Sequence, residues 1–456
     1  MTLDEALAEL SKKVENPFTD TTQFYCVGES EIGLPQGSYR LSVSKGIEYG
    51  TYAGEVQIAS GGRVERKVEM SRWIDMAEKG WYSADDHLHI ARPVDGLNPF
   101  ISKMMQAEDI NVTNILQFGL TRRFHNAIQY AHGPQGEYRE GDYILATGQE
   151  NPRTHFLGHV ITLGAGSPIN FPDAYLIYRL FFEEVRRQGA LSGFAHFATD
   201  MLGGHYGLAV VLPHDLLGFV EVFQFNRPNY STWYDVLNMG FRVTPTAGSD
   251  YPCGDASIPG RERFYTKLEG PLAYDSWLEA VRAGKTFVTN GPILEFHVNG
   301  VEMGEEISLA SPASVTVEGR VQFDRTRDDV ERLELVENGR VVRSFPRCDD
   351  SGELSFLVEH PVQETSWLAL RASGVKLGEV RRPTVYRAFE PTSAAHSAPV
   401  HVMLEGAPPL SAHPRARDVM RTWLARLEDL ETRLEEDKID ALAARLQESL
   451  LDLTDG

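Results

Sequence analysis

Residues 80–96 read GWYSADDHLHIARPVDG, and the fold turns on how this stretch is laid down. Its short apolar lead-in and lack of a 3.6-residue period predict a β-strand. Side chains two apart on a strand share a face, so His87 and His89 can present both imidazoles to one cation. His-x-His alone recurs by chance in a chain with 14 histidines among 456 residues. Its neighbours give it weight. Asp85 and Asp86 precede the pair and Asp95 follows in a DG turn, and nearby carboxylates orient imidazole ligands and raise their basicity.

Outward from this stretch, as far as Gly291, short apolar runs recur: TNILQF, YILATG, HVITLG, LSGFAHF, GFVEVF, FRVTPTAGSD and KTFVTNG, with helix-like segments between several of them. The clearest helix, FPDAYLIYRLFFEEVRRQG, opens near Pro172 and closes at Gly189 with arginines in its last turns. Strands alternating with helices predict an α/β layer or barrel over residues 81–291. Residues 1–80 read as a short amphipathic helix, MTLDEALAELSKK, and a small alternating β unit. Alternation returns over 292–390, with NG at Asn338–Gly339 and SG at Ser373–Gly374 as turn signals, which predicts a β-sandwich. Residues 391–414, rich in Pro, Ala and Ser, read as a linker. Residues 415–456 read as an amphipathic helical tail, with Met420, Trp423, Leu427, Leu430, Leu434, Leu442, Leu446 and Leu450 at helical spacing. Such a tail suits packing on its own chain or a homodimer.

Composition narrows the function classes. With 44 Lys+Arg against 65 Asp+Glu the formal charge is −21, which disfavours general binding to nucleic acid or anionic membranes. Three unclustered cysteines, Cys26, Cys253 and Cys348, supply neither a disulfide framework nor a Cys-based zinc site. No apolar run approaches the ~18 residues of a membrane span, and the first residues lack a signal-like apolar segment. A cytoplasmic protein is expected.

Nine of the histidines fall between residues 83 and 290, so chemistry is sought there. Several strand-like runs begin or end in metal-capable residues: Glu150 after YILATGQ, His159 opening HVITLG, His196 closing SGFAH and Asp250 closing TPTAGSD. Taken singly, Glu150 reads more readily as a surface loop acid, His159 and His196 as satisfied core histidines, and Asp250 as a helix N-cap. Taken together they form a constellation, because functional residues of α/β barrels gather at the carboxyl ends of strands.

The opening stretch, with AEDINV (107–112), ATGQE (146–150), GHVITLG (158–164), GFAHF (193–197), TAGSD (246–250) and the run from GRERFY to AVRAGKTFVTNGP (260–292), resembles the polymerase-and-histidinol-phosphatase (PHP) superfamily of metallohydrolases. Within it, the chain is similar to the CehA/McbA, carbaryl-hydrolase-like family. The resemblance covers residues from about Tyr39 to Gly304. It implies a distorted (β/α)7-type barrel flanked by the N-terminal β unit and the C-terminal sandwich. It further implies that His87, His89, Glu150 and Asp250 surround one divalent ion, and that Glu150 bridges to a second held by His159 and His196. Asp95, at the family's DG position, and Asp85 would serve as further ligands or as partners of ligands. Three-metal relatives show T-D-H and S-D-x-H where this chain has Leu116-Gln117-Phe118 and Ser249-Asp250-Tyr251-Pro252, so two ions are expected. The donor set admits Zn, Mn or Fe.

Such a centre acidifies a bound water, and Asp250 is placed to take its proton. Arg92, Arg261 and Arg263 are candidates to meet developing negative charge, and Tyr251 and His205 are candidate lining residues. The expected function is a metal-dependent hydrolase of a small ester, carbamate or amide. A PHP-type phosphoesterase is the alternative, and a non-catalytic binding protein the third reading.

Overall fold

The computed structural model describes residues 14–16, 21–26, 28–120, 123–154, 157–197, 204–252, 258–377, 382–383, 388–389 and 391–412, with scattered positions from 414 to 425. The helix expected at the N-terminus and most of the expected helical tail lie outside the described residues. What is described is a mixed α/β fold of large sheets and few helices. Among the described residues no helix is long and apolar enough to cross a membrane.

Near the N-terminus, β1 (Gly37–Val43) and β2 (Tyr52–Ile58) pair antiparallel as a hairpin. The stretch quoted above is indeed a strand, β3 (Trp81–Leu88), buried along nearly its whole length. The chain then passes through α1 (Asn98–Ala107), β4 (Val112–Leu120), β5 (Tyr143–Thr154) and β6 (Gly158–Leu163). It continues as α2 (Tyr178–Arg187), β7 (Leu191–Phe194), α3 (Gly204–Val211) and β8 (Phe219–Gln224). Next come α4 (Ser231–Asn238), β9 (Thr244–Ala247), β10 (Arg263–Lys267), α5 (Tyr274–Arg282) and β11 (Thr286–Thr289).

Strands β3, β4 and β5 run parallel, β6 runs antiparallel between β5 and β7, and β7, β8 and β9 run parallel. On its other edge β3 pairs antiparallel with β10, and β10 with β11. The far end curls back to the start: the His89 N–H donates to the Tyr251 carbonyl at 2.7 Å, just beyond β9. Both ends of the strand series therefore meet beside the histidine pair.

The helices cover this layer through one apolar stripe each. In α2 the buried residues are Tyr178, Phe181, Phe182 and Val185, and in α5 they include Tyr274, Trp277, Leu278 and Val281. This is the i, i+3, i+4, i+7 spacing of a single helix face. The sequence placed the start of α2 near Pro172, but Pro172–Ala174 forms a separate 3-10 turn and the α-helix begins at Tyr178.

The longer strands that follow are β12 (Ile293–Val298), β13 (Ala313–Gln322), β14 (Asp328–Glu337), β15 (Arg340–Pro346), β16 (Glu353–Val362), β17 (Ser366–Lys376), β18 (Thr392–Ser397) and β19 (Val400–Leu404). Strands β12, β13 and β16 form one sheet, and β15, β14, β17, β18 and β19 belong to another. A shared apolar core including Leu294, Phe296, Val317, Leu335, Leu370 and Val402 lies between them. The Asn338–Gly339 turn links β14 to β15 with both residues at positive φ, 49° and 80°, as a tight hairpin requires.

Two expectations fail here. Ser373–Gly374 is not a turn but lies inside β17, where a Cβ on Gly374 would come within 2.1 Å of the Asp329 carbonyl oxygen; glycine permits close strand approach at the β14 bulge. Residues 391–414 are not a linker either. They hold β18 and β19, with Ala394, Ala395, Ala398, Val400 and Val402 buried. Small residues there let sheets approach closely, a composition that imitates a flexible segment. Strand β18 also pairs with β11, so the second sheet is continuous with the layer that carries the histidines.

Candidate metal centre

The candidate side chains are delivered by strands or by the residues just past them, and Glu150, expected at a strand end, lies inside β5, which runs on to Thr154. His87 closes β3 and His89 follows it; Glu150 lies on β5 opposite Phe118 of β4. His159 opens β6, where a register shift between His159 and Ile161 relative to β5 re-aims the imidazole so that Nδ1 lies 2.6 Å from Glu150 Oε1. His196 and Asp250 sit just past β7 and β9 with φ of 61° and 56°. A non-glycine residue held in the left-handed region costs about 1–3 kcal/mol and persists where the surroundings over-determine it. Gly248, two residues before Asp250, has no room for a side chain: a Cβ would meet His87 Cβ at 2.5 Å, Glu221 Oε1 at 2.6 Å and Asp86 Oδ1 at 2.7 Å.

All six residues expected as ligands are brought together, and all are buried. His87 Nε2 and His89 Nε2 stand 3.1 Å apart. Asp250 Oδ1 lies 3.3 Å from the first and 3.2 Å from the second, and Glu150 Oε2 lies 3.7 Å and 3.2 Å from them. The other two carboxylate oxygens face a second pair: Glu150 Oε1 lies 2.6 Å from His159 Nδ1 and 3.9 Å from His196 Nε2, and Asp250 Oδ2 lies 3.1 Å from His196 Nε2. Both carboxylates thus divide their oxygens between two groups of imidazoles.

The tautomers follow from the outer partners. His87 Nδ1 is 2.9 Å from Glu221 Oε1, and His89 Nδ1 is 2.9 Å from the Leu116 carbonyl. Each Nδ1 therefore carries its hydrogen, and each ring turns Nε2 inward, where it offers a lone pair once a cation displaces the proton that the carboxylates otherwise hold there. Glu150 Oε2 receives no hydrogen bond. Four potential ligand atoms converge, with Arg153 Nε beside Glu150 Oε2 at 3.1 Å as the nearby cationic group, and a cation or a proton among them relieves their mutual repulsion. Ligands about 2.1 Å from a metal and roughly 90–110° apart lie about 3.0–3.4 Å from each other, matching most of these separations. The residues present fit a divalent ion. His87–His89–Glu150, Glu150–His159–His196 and His87–His196–Glu221 are each compact enough to hold one.

Electrostatics carry the same message. Burial opposes a charge on His87, yet Glu221, Asp250 and Glu150 outweigh it and hold the imidazole well above its usual range. Burial likewise opposes a charge on Asp250, but His87, His89 and His196 draw its carboxyl down to about 2. Glu150 is held well below the usual range by Arg153 and His159 against the cost of burial. Burial pushes His196 down to about 3 against the pull of Asp250.

Several expected residues sit elsewhere. Arg92 is fully buried, its guanidinium bonded to Gln129, Asn98, the Gly136 carbonyl and Thr147. Arg263 is bonded to the carbonyls of Gly260, Asp109 and Glu108. Both brace loops rather than face the cluster, and a sequence cannot foresee such distant backbone acceptors. Asp85 accepts from the backbone N–H groups of His87, Ser249 and Gly260 at 3.0, 3.1 and 2.7 Å, so it clamps the end of β9 to β3 and is not a ligand. Asp95 is exposed in a 3-10 turn. Arg261 pairs with Glu262 at 3.7 Å. Tyr251 supplies its carbonyl to His89, while its ring packs with Leu88 and Ile90. The His205 side chain lies outside the described residues.

Two residues of the site escaped the sequence reading. Glu221, on β8, bonds His87 through Oε1 and accepts the His196 backbone N–H through Oε2 at 2.8 Å. The signal was a lone acid inside the apolar run GFVEVF, since a buried carboxylate demands a partner. Arg153 places Nε 3.1 Å from Glu150 Oε2 and 3.3 Å from His159 Nδ1. At the expected T-D-H position, Leu116 offers a carbonyl and Phe118 an aromatic face 4.5 Å from the His89 ring centroid.

No family model matches the chain, nor does any curated protein. Among solved structures it is similar to a lesion-specific endonuclease, PfuEndoQ from Pyrococcus furiosus, at 13% identity over 44% of this chain and 56% of that one, with a TM-score of 0.29. It is also similar to a chain named pT26-6p, at 14% identity over 46% of this chain and 39% of that one, TM-score 0.17. An engineered protein matches at 12% identity over 67% of this chain and 52% of that one, TM-score 0.14. The chain spans about half the length of these structures, and such TM-scores fall below those of a common fold.

Proposed function

We propose that the chain is a PHP-type, CehA/McbA-like metallohydrolase whose curled strand layer is a distorted barrel, acting on a small ester, carbamate or amide. The observation that carries this is the convergence of Nε2 of His87, Nε2 of His89, Oε2 of Glu150 and Oδ1 of Asp250 within ligand-to-ligand distances. Two groups of side chains would hold such ions, His87 with His89 and His159 with His196, with Glu150 and Asp250 each turning one oxygen to either group. Divalent ions bound there supply an acidified water and a Lewis-acid contact for the electrophile. Asp250 takes the proton of that water on its carboxylate. Glu221 keeps Nδ1 of His87 protonated, so that Nε2 stays available. Phe118 and Phe225, 4.5 Å and 6.1 Å by ring centroid from His89 and His196, narrow the space open to water.

Withdrawal of Arg92 and Arg263 into loop bracing favours an uncharged electrophile, since a phosphate dianion calls for several cations. Arg153 alone favours the phosphoesterase reading. Elemental analysis of the purified chain tests the centre: one to two equivalents of transition metal are expected, and less than about one after reconstitution defeats both hydrolase readings and leaves the binding protein. Assays of metal-loaded protein on p-nitrophenyl acetate, 1-naphthyl N-methylcarbamate and p-nitrophenyl phosphate then separate the two. Turnover confined to the phosphate overturns the ester, carbamate or amide assignment.

A further inference from the structure

Arg92, Arg153 and Arg263 are all held close to strands that carry the cluster, yet only Arg153 keeps donors to spare. The other two spend Nε and both terminal nitrogens, or nearly so, on protein acceptors. Arg153 commits Nε alone, to Glu150 and His159. Among the described residues neither of its Nη groups has a hydrogen-bond partner. Its guanidinium carbon rests 4.4 Å from the centroid of Phe118, the ring that also flanks His89. The side chain is 19% exposed, enough for a ligand to reach it.

A guanidinium pinned at Nε and stacked on a ring has lost most of its freedom before any ligand arrives. Its two outer donors form a planar fork that suits anionic oxygen. Partial burial beside the cluster strengthens such a bond relative to one in water.

We infer that Arg153 is the anion-binding residue of this site, its Nη groups taking an anionic oxygen of whatever is bound at the cluster. The inference rests on the metallohydrolase reading. The oxygen is either one the substrate already carries, as in a phosphoryl group, or one that forms during reaction. In the second case the water oxygen bonds to the carbonyl carbon as Asp250 takes its proton. The carbonyl π pair moves onto oxygen, giving the oxyanion that Arg153 meets.

The test uses the metal-loaded full chain, R153Q and R153K, with two measurements: binding of inorganic phosphate by calorimetry, and kinetics on p-nitrophenyl acetate. R153Q is expected to keep its metal and to lose about 10- to 100-fold in phosphate affinity, in kcat on the ester, or in both, with KM within about twofold. R153K, which keeps the charge but not the fork, should recover part of the loss. A fall in phosphate affinity identifies a carried anion, and a fall in kcat at constant KM a transient one. An R153Q variant matching the wild type in both measurements overturns the proposal. So does loss of metal from both variants, which makes the arginine a brace for Glu150. If the wild type itself holds no metal, the hydrolase reading fails instead; Arg153-dependent phosphate binding by that metal-free chain would still uphold the arginine's role, and its absence would sink it.

Discussion

His87 and His396 are equally hidden from solvent, but they keep opposite polar company. His396, on β18, accepts from the Tyr234 hydroxyl at Nε2 (2.6 Å) and donates from Nδ1 to the Ser397 carbonyl (2.8 Å). The aromatic rings of Tyr230 and Trp233 pack around it, at 4.3 and 5.2 Å. Every polar atom of that imidazole is satisfied, and burial draws it down to about 3, so it stays neutral. His87 has one satisfied nitrogen, and its other faces three more acceptors. The first is a core residue that happens to be polar; the second is half of an unfinished bond. Unmet hydrogen-bonding capacity, not burial, separates structure from function here.

The comparison breaks most readily at His87. His87→Ala should release at least one equivalent of metal and lower turnover about a thousandfold or more, with a circular dichroism spectrum like that of the metal-free wild type. Collapse of the fold instead would place His87 in the same category as His396. The converse substitution, His396→Ala, takes away the acceptor of the Tyr234 hydroxyl proton and leaves a void among the aromatic rings. It should cost about 2–4 kcal/mol of stability, read by denaturant unfolding, while metal content holds. Metal loss in this variant would erase the distinction.

Glu221→Gln sharpens the contrast within the site. The amide cannot enforce Nδ1–H on His87 as a carboxylate does, and metal affinity should fall about 10- to 100-fold by chelator competition; an unchanged affinity would reduce Glu221 to packing. The smallest effect is in pH. Between the ordinary imidazole range and about 3, the unfolded chain binds a proton at residue 396 that the folded chain refuses. Stability from this group is therefore complete above about pH 6.5 and is lost as pH falls, by up to ~1.4 kcal/mol per pH unit. His396→Gln should flatten the slope of unfolding free energy against pH by that amount between about pH 4 and 6; an identical slope would show that His396 is not neutral in the fold.

The histidine pair was legible because a strand has one period, and that period fixes which side chains share a face. Glu150, His159, His196 and Asp250 were legible at the ends of strand-like runs. Their convergence depended on how the strands curl, which no single run encodes. Arg92 and Arg263 look like Arg153 in sequence, and the side-chain and carbonyl acceptors around each one tell them apart. The β18–β19 segment was misread because alanine and serine serve a close-packed strand as well as a flexible tether.

The pairing of β11 with β18 has a consequence for dissection. The described strands between Asn290 and Pro391 form an excursion between two neighbouring strands, so cutting the chain near Gly291 would not free an autonomous histidine-bearing half. It would leave β11 with a bare row of amide and carbonyl groups along one side, a ready template for other copies of the fragment to stack on. The histidine-bearing layer and the sandwich are expected to melt in one transition, each serving as the other's protection against aggregation.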